Sequence, residues 1–274
     1  HRDLHGTSHS FPTRRSSDLI AADYRACHVP PGGLADYLAA RRDDPDWRGC
    51  NVTMPHKQAI MPLLDAVDGD AAAIGAVNTV VRNHDGVLIG YNTDAAGFLE
   101  PLQADLAKPH LYRMARILGA GGAARAIVTA LAGQGFTLVL AARDPHKAKD
   151  LLDELAPTGD HHAIALQHFA PPTDFVFDDR DGLFDLVVNA SPLGMAGQPP
   201  LAFDFSHAPP GSTVYDIVTH PLETPLLAQA RSRGHRTVDG LAMLIGQAAV
   251  AFEKFFGQPA PRQYDSELRA LLTA

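Results

Sequence analysis

The chain has 274 residues, 46% hydrophobic and 20% charged, with a formal net charge of −8. That supplies length and apolar material for one large or two ordinary packed domains. The acidic balance argues against a nucleic-acid or anionic-membrane partner, either of which needs a basic surface.

No apolar run reaches the ~18–20 residues of a membrane span, and the N-terminus lacks the apolar segment of a signal peptide. Two cysteines, Cys27 and Cys50, fit a reducing cytoplasm better than a disulfide framework. The 14 histidines are scattered, with His161-His162 in a polar connector, so no metal site is expected.

Residues 1–19 show neither alternation nor helical periodicity and read as a non-native or disordered segment. The run from Phe11 to Leu19 matches one reading frame of a short-read sequencing adapter. Translated adapter and an ordinary tail are both open, and the codons of the gene would separate them.

Residues 24–29 read as a short strand, and 31–42 as a helix with Leu34, Tyr37 and Leu38 on one face. Residues 49–53 form a strand running into Pro55. Proline is well placed at a helix start because its missing N–H would be unpaired there; the helix then continues over 57–64. Residues 76–82 and 87–91 pair as a hairpin about Asn83-His84-Asp85-Gly86. A helix over 95–106 links two halves.

Strand 115–118, a glycine-rich loop, helix 123–131 and strand 137–141 make a βαβ unit. Helix 147–155 follows, then apolar strands 183–189 and 214–218, suited to a sheet covered on both faces. Helices 225–233 and 241–256 complete the chain. Residues 156–181, with Pro157, Pro171 and Pro172, give no clear element. Alternating strands and helices imply parallel sheets with right-handed crossovers.

Several places carry chemistry. Gly119-Ala120-Gly121-Gly122-Ala123-Ala124 follows a strand and opens a helix. Gly119 permits the turn, Gly121 admits a pyrophosphate, Ala124 keeps helix and strand close, and the helix N-terminus offers free N–H groups. The same run would also serve as a plain Gly/Ala turn.

The next strand ends at Arg143-Asp144-Pro145-His146-Lys147. An acid there takes a ribose 2′-hydroxyl and a cation takes a 2′-phosphate. Arg143 and Lys147 outnumber Asp144 and favour NADP; Asp144 could instead cap the next helix.

Lys57 closes the small polar run Asn51-Val52-Thr53-Met54-Pro55-His56-Lys57, and Asp94 closes Gly90-Tyr91-Asn92-Thr93-Asp94. By default they are a solvated lysine and a helix cap. Together they are an amine and a carboxylate beside a dinucleotide loop, and a partly buried lysine can serve as a proton shuttle. Asn189-Ala190-Ser191-Pro192-Leu193-Gly194-Met195 leaves a strand at its carboxyl end, where such sheets bind ligands. Gln247, in the last helix, points either to solvent or into the cleft.

With Gly75-Ala76-Val77-Asn78-Thr79 and the run Asp239 to Ala248, these motifs occur in order over residues 22–257, and the chain resembles the shikimate dehydrogenase family. The resemblance implies an α/β protein of two domains. An N-terminal α/β substrate domain comprises residues 20–97 and 238–274, and a Rossmann-type doubly wound NADP-binding domain comprises 98–237. It implies reversible reduction of 3-dehydroshikimate to shikimate, on the chorismate route to aromatic amino acids. Lys57 is then the acid/base and Asp94 its partner, and Thr53, Asn78, Asp94, Thr219 and Gln247 bind substrate. Gly119, Ala120, Gly121, Gly122 and Ala123 hold the pyrophosphate, Arg143 and Lys147 the 2′-phosphate, and Ile217 and Gly240 the nicotinamide end.

Two departures bear on the substrate carboxylate. The family's N-terminal serine pair lacks its context here, where only Ser8-His9-Ser10 and Ser16-Ser17 occur, and Thr219 stands where a tyrosine is usual. A lost charge-assisted hydrogen bond costs about 1.5–3 kcal/mol, so two would weaken binding about a hundredfold or more. A missing first strand would also leave an unpaired sheet edge. A quinate/shikimate dehydrogenase using NAD and a non-catalytic nucleotide-binding protein are the alternatives; a homodimer is left open.

Overall fold

The computed structural model describes residue 20 and residues 22–175, 177 and 182–273. The tail reading, residues 1–19, therefore lies outside the described residues.

Residues 22–29 form no strand. A strand exists only by pairing, and no backbone hydrogen bond joins this stretch to another strand among the described residues. Its tie to the sheet is a side chain: the Tyr24 hydroxyl donates to Asn51 Oδ1 at 3.0 Å.

Helix α1 (Leu34–Arg42) buries Leu34 and Leu38. Strand β1 (Gly49–Asn51) leads to the short α2 (His56–Ala59) and a 3₁₀ turn, Met61–Leu63. The expected helix over 57–64 breaks there, because Pro62 has no N–H to continue the ladder. Strand β2 (Ala66–Val67) and helix α3 (Gly69–Ile74) were not expected; both are too short for periodicity to show. Asp68 caps α3, and Gly75 ends it at φ 67°.

The hairpin forms as β3 (Thr79–Arg82) and β4 (Leu88–Tyr91), pairing Thr79 with Tyr91 and Arg82 with Leu88. The sheet order is β1-β3-β4-β2. Val52, Ile60, Val77, Val80 and Leu88 fill its core with Leu34 and Leu38.

The linking helix is also interrupted: α4 (Asp94–Leu99), a 3₁₀ turn holding Pro101, then α5 (Gln103–Leu106). Beyond it come β5 (Tyr112–Leu118), α6 (Gly122–Gly133), β6 (Thr137–Ala142), α7 (Pro145–Leu155) and β7 (His162–Ala165), then β8 (Leu183–Asn189), β9 (Thr213–Asp216), α8 (Pro225–Ser232) and β10 (Arg236–Val238). Of these, β7 and β10 were not foreseen; both are short edge strands. Helices α9 (Gly240–Phe256) and α10 (Asp265–Thr273) close the chain.

Strands β5 to β10 form one parallel sheet in the order β10-β9-β8-β5-β6-β7. The chain winds outward in both directions from β5 and β8, so their carboxyl ends bound the crevice where open α/β sheets bind ligands. One core cluster, with Ile117, Ile127, Leu138 and Val188, and another, with Leu118, Val187, Phe203 and Leu227, are buried in this half.

Helix α9 returns to the first half and crosses α4 at two glycines. A Cβ on Gly97 would run into the backbone of Gln247, and one on Gly246 would lie 3.0 Å from Gly97 Cα. Only glycine allows that approach.

Candidate active site

Three elements bring the polar motifs together. Lys57 lies on α2, whose position is fixed by the Val77 N–H donating to the Lys57 carbonyl at 2.8 Å. Asp94 is the first residue of α4, with its N–H bonded to Asn92 Oδ1 at 3.0 Å. Its carboxylate makes no capping bond and is directed to the site instead.

Lys57 Nζ donates to Asp94 Oδ2 at 2.5 Å, with the two side chains 14% and 8% exposed. Asn78 Nδ2 donates to Asp94 Oδ1 at 2.9 Å and to Thr93 Oγ1 at 2.9 Å. Asn78 Oδ1 accepts from the Thr93 N–H at 2.8 Å and from Thr79 Oγ1 at 3.0 Å. From α9, Gln247 Oε1 accepts from Thr93 Oγ1 at 3.3 Å and lies 3.5 Å from Asn78 Nδ2. Gln247 thus faces the cleft, not solvent alone.

The network continues outward. Asn51 Nδ2 donates to Thr79 Oγ1 at 3.1 Å, and Tyr24 reaches Asn51. Thr79, Thr93, Asn51 and Tyr24 were not singled out from the sequence, although the first three lie inside the motifs. Thr53 and Thr219 are exposed, and neither side chain bonds to the network among the described residues.

The glycine loop leaves β5 at the crevice. Gly119 has φ 122°, donates to the Ala141 carbonyl at 2.7 Å, and has no room for a side chain against Ala190 and Ser191. By contrast, a Cβ on Gly121 or Gly122 would meet nothing within 4 Å. Helix α6 begins with no side-chain cap, so its first N–H groups face open space. This is a cradle for an anion, and the residues present fit a pyrophosphate.

Asp144 accepts from the His146 N–H at 3.0 Å and caps α7. Arg143 and Lys147 beside it are exposed and in no ion pair among the described residues. The acid is engaged and the cations are available, the state that suits a 2′-phosphate.

Across the crevice, the exits of β8 and β9 are locked together. Asn189 Nδ2 donates to Asp216 Oδ1 at 3.0 Å and to the Leu193 carbonyl at 2.9 Å, and Thr224 Oγ1 donates to Asp216 Oδ2 at 2.7 Å. Burial pushes the Asp216 carboxyl above the ordinary aspartate range, against these hydrogen bonds. Ile217 follows directly. A Cβ on Gly240 would strike its carbonyl, so the start of α9 abuts this exit and places Ile217 and Gly240 side by side.

An amine, a carboxylate and the amide or hydroxyl groups of Asn78, Thr79, Thr93 and Gln247 therefore converge in the first half, and an anion cradle with two nearby cations lies in the second. Two stretches of the chain match models of one family. Residues 14–80 match the shikimate dehydrogenase substrate binding domain, and 240–265 match the shikimate 5'-dehydrogenase C-terminal domain. The shikimate dehydrogenase (NADP(+)) of Sphingopyxis alaskensis is 52% identical over 257 residues, 93% of this chain and 88% of that protein.

A crystal structure of a shikimate dehydrogenase in complex with NADP+ superposes with TM-score 0.75 at 32% identity, covering 90% of this chain and 84% of the other. One from Thermus thermophilus, in complex with NADP(H) and shikimate, gives 0.68 at 33%, covering 88% and 85%. With such likeness across nearly the whole length of both chains, this chain belongs to the shikimate dehydrogenase family.

Proposed function

We propose that this chain reversibly reduces 3-dehydroshikimate to shikimate with NADP(H), as a step of aromatic amino-acid biosynthesis. The observation that carries the reading is the Lys57–Asp94 pair held by Asn78 and Gln247. Residues 20–97 and 238–274 act as the substrate domain and 98–237 as the dinucleotide domain.

When bound, the nicotinamide cofactor supplies or accepts the hydride. The cradle of Gly119, Ala120, Gly121, Gly122 and Ala123 holds its pyrophosphate, Arg143 and Lys147 its 2′-phosphate, and Ile217 and Gly240 line the nicotinamide end. In the reducing direction, Lys57 gives a proton to the carbonyl oxygen as it becomes a hydroxyl; in the oxidising direction the amine takes it back. Asp94 keeps that nitrogen aimed and accepts from the same hydroxyl, so orientation lowers the barrier. Asn78 and Gln247, with Thr53 from the α2 side, hold the remaining ring hydroxyls, and Thr219 stands at the carboxylate end.

The capping role of Asp144 supports NADP over NAD. Among the described residues no helix is long and apolar enough to cross a membrane. The reading includes a cytoplasmic location and leaves room for a homodimer, which sedimentation would test. Initial rates with shikimate or quinate, each paired with NADP or NAD, test the function. Shikimate with NADP is expected to give the highest kcat/KM; binding of NADP without turnover of either acid would refute an enzymatic role.

A further inference from the structure

A polar contact joins the two halves away from the Lys57–Asp94 pair. Arg125 lies on α6, just beyond the glycine cradle, and is 7% exposed. Its Nε donates to the carbonyl of Ile74, the last residue of α3, at 2.7 Å. That carbonyl is one that a helix end leaves without an internal partner.

The other arm of the guanidinium pairs with Glu154 of α7, Nη1 donating to Oε2 at 3.1 Å and Nη2 to Oε1. Gly75, at φ 67°, follows Ile74, and a Cβ there would run into Arg125 Nη2. Beside this contact Ile74, Ala76 and Ala126 are buried together, with Ala95 packed against them.

The arrangement has a direction. The N-terminus of α6 is the anion cradle. The flank of α6 carries Ile74, four residues before Asn78, and Ala95, the neighbour of Asp94. Through this flank the cofactor helix packs against the start of the 75–79 motif and the end of the 90–94 motif.

We propose that Arg125 is a positioning residue, which fixes the gap between the nicotinamide ring and the Lys57–Asp94 pair by pinning α3 to α6. The guanidinium suits the task because its rigid fork serves a backbone acceptor and a carboxylate at once, which an ammonium cannot do with the same geometry. The proposal rests on the dehydrogenase reading.

The test uses Arg125→Ala, Arg125→Lys and Glu154→Gln in the full chain. The readouts are kcat, KM for shikimate, the Kd of NADP by fluorescence, the primary isotope effect with 4-deuterated NADPH, and amide exchange in cofactor-free protein. Since misplacement by about 1 Å can cost on the order of a hundredfold in rate, Arg125→Ala should lower kcat by about tenfold to a hundredfold. NADP Kd should stay within about threefold, the isotope effect should rise, and added guanidinium should restore part of the rate. Amide exchange over residues 74–78 should quicken without cofactor.

Arg125→Lys and Glu154→Gln should show smaller falls of the same kind, and they carry the test should Arg125→Ala not fold. Unchanged kcat in these variants, or equal losses of kcat and NADP affinity, would overturn the proposal. A wild-type chain that binds NADP but turns over nothing would refute the dehydrogenase reading instead, and the amide exchange would still report on the pin.

Discussion

Two buried ion pairs, one in each half of the molecule, use the same kinds of charge to different ends. In the six-stranded sheet, Arg116 Nη1 donates to both oxygens of Asp185 at 2.7 and 2.6 Å, and Ser212 Oγ adds a bond at 3.0 Å. The side chains are 7% and 9% exposed. Burial pushes the Asp185 carboxyl up, and Arg116 pulls it back.

In the first half, Lys57 and Asp94 are comparably buried. Lys57 Nζ, however, has one partner among the described residues and three protons to donate. Asp94 is held by Asn78 in a network open to the cleft. Burial of the carboxylate is therefore not what distinguishes the site. Unspent bonding capacity on the lysine is.

Single substitutions separate the two pairs. The largest expected effect is at Lys57: its change to alanine should cost on the order of 10²–10⁴ in kcat, the usual range for a general acid or base. NADP binding should stay near wild type, and the unfolding midpoint should fall less than for Asp185→Asn, because the lysine side chain is 14% exposed and water can reach the pair. Near-native turnover would rule out the assignment.

Asp185→Asn should do the reverse. Removing one partner of a buried pair costs about 3–5 kcal/mol of stability, read as a lower urea midpoint, while kcat per folded molecule holds. Replacing Arg116 and Asp185 together by apolar residues should recover most of that loss. A stable Asp185→Asn protein would mean that the sheet pair is solvated.

A smaller effect is expected at the helix crossing that supports the cleft. Gly97→Ala pushes α4 from α9 where there is no space, and overpacking of this kind costs about 1–3 kcal/mol. Gln247 should withdraw from Asn78 and Thr93, so that KM for shikimate rises while NADP Kd is unmoved. An unchanged KM would show that Gln247 is not needed to hold substrate.

The smallest effect is in the neighbourhood of the sheet pair. Burial lowers the pKa of His235, and Arg233 adds to this, whereas Asp185 and the Ser212 backbone oppose it. A folded pKa below the unfolded one means that the unfolded chain takes the proton first. Stability from this group is present above the ordinary histidine pKa of about 6.5 and is lost as pH falls through the lower folded value. His235→Phe should flatten that part of the stability–pH curve and leave it unchanged above about pH 7.5; an identical slope in both proteins would refute the assignment.

The same contrast explains what was legible in the sequence. Lys57, Asp94 and Asn78 stand in dense motifs at element ends, where chain direction and helix start restrict the residue types, and Gln247 stands inside α9 within the run Asp239 to Ala248. The glycine loop was legible because strand, turn and helix N-terminus must follow one another there, and strand 183–189 because it is an apolar run of strand length.

Arg116 and Asp185 were hidden within such runs, since two charges in otherwise apolar strands give no sign that they will meet across a sheet. Helix α3 and the edge strands β2, β7 and β10 are too short to display a period. Residues 24–29 have strand composition but no pairing partner among the described residues. Gly97 and Gly246 did leave a signal, a glycine inside each helical pattern, whose meaning required knowing that the two helices cross. The expected weakening at the substrate carboxylate falls largely on Ser8-His9-Ser10 and Ser16-Ser17, outside the described residues.

The most direct test of the site is a double-mutant cycle on the turnover of shikimate with NADP, comparing Lys57→Met, Asp94→Asn and the two combined. Groups acting as one unit on one hydroxyl give strongly non-additive losses, so the double variant should be about as slow as the slower single one. Losses in kcat that multiply would mean that Lys57 and Asp94 act on separate atoms, and would contradict the convergent site.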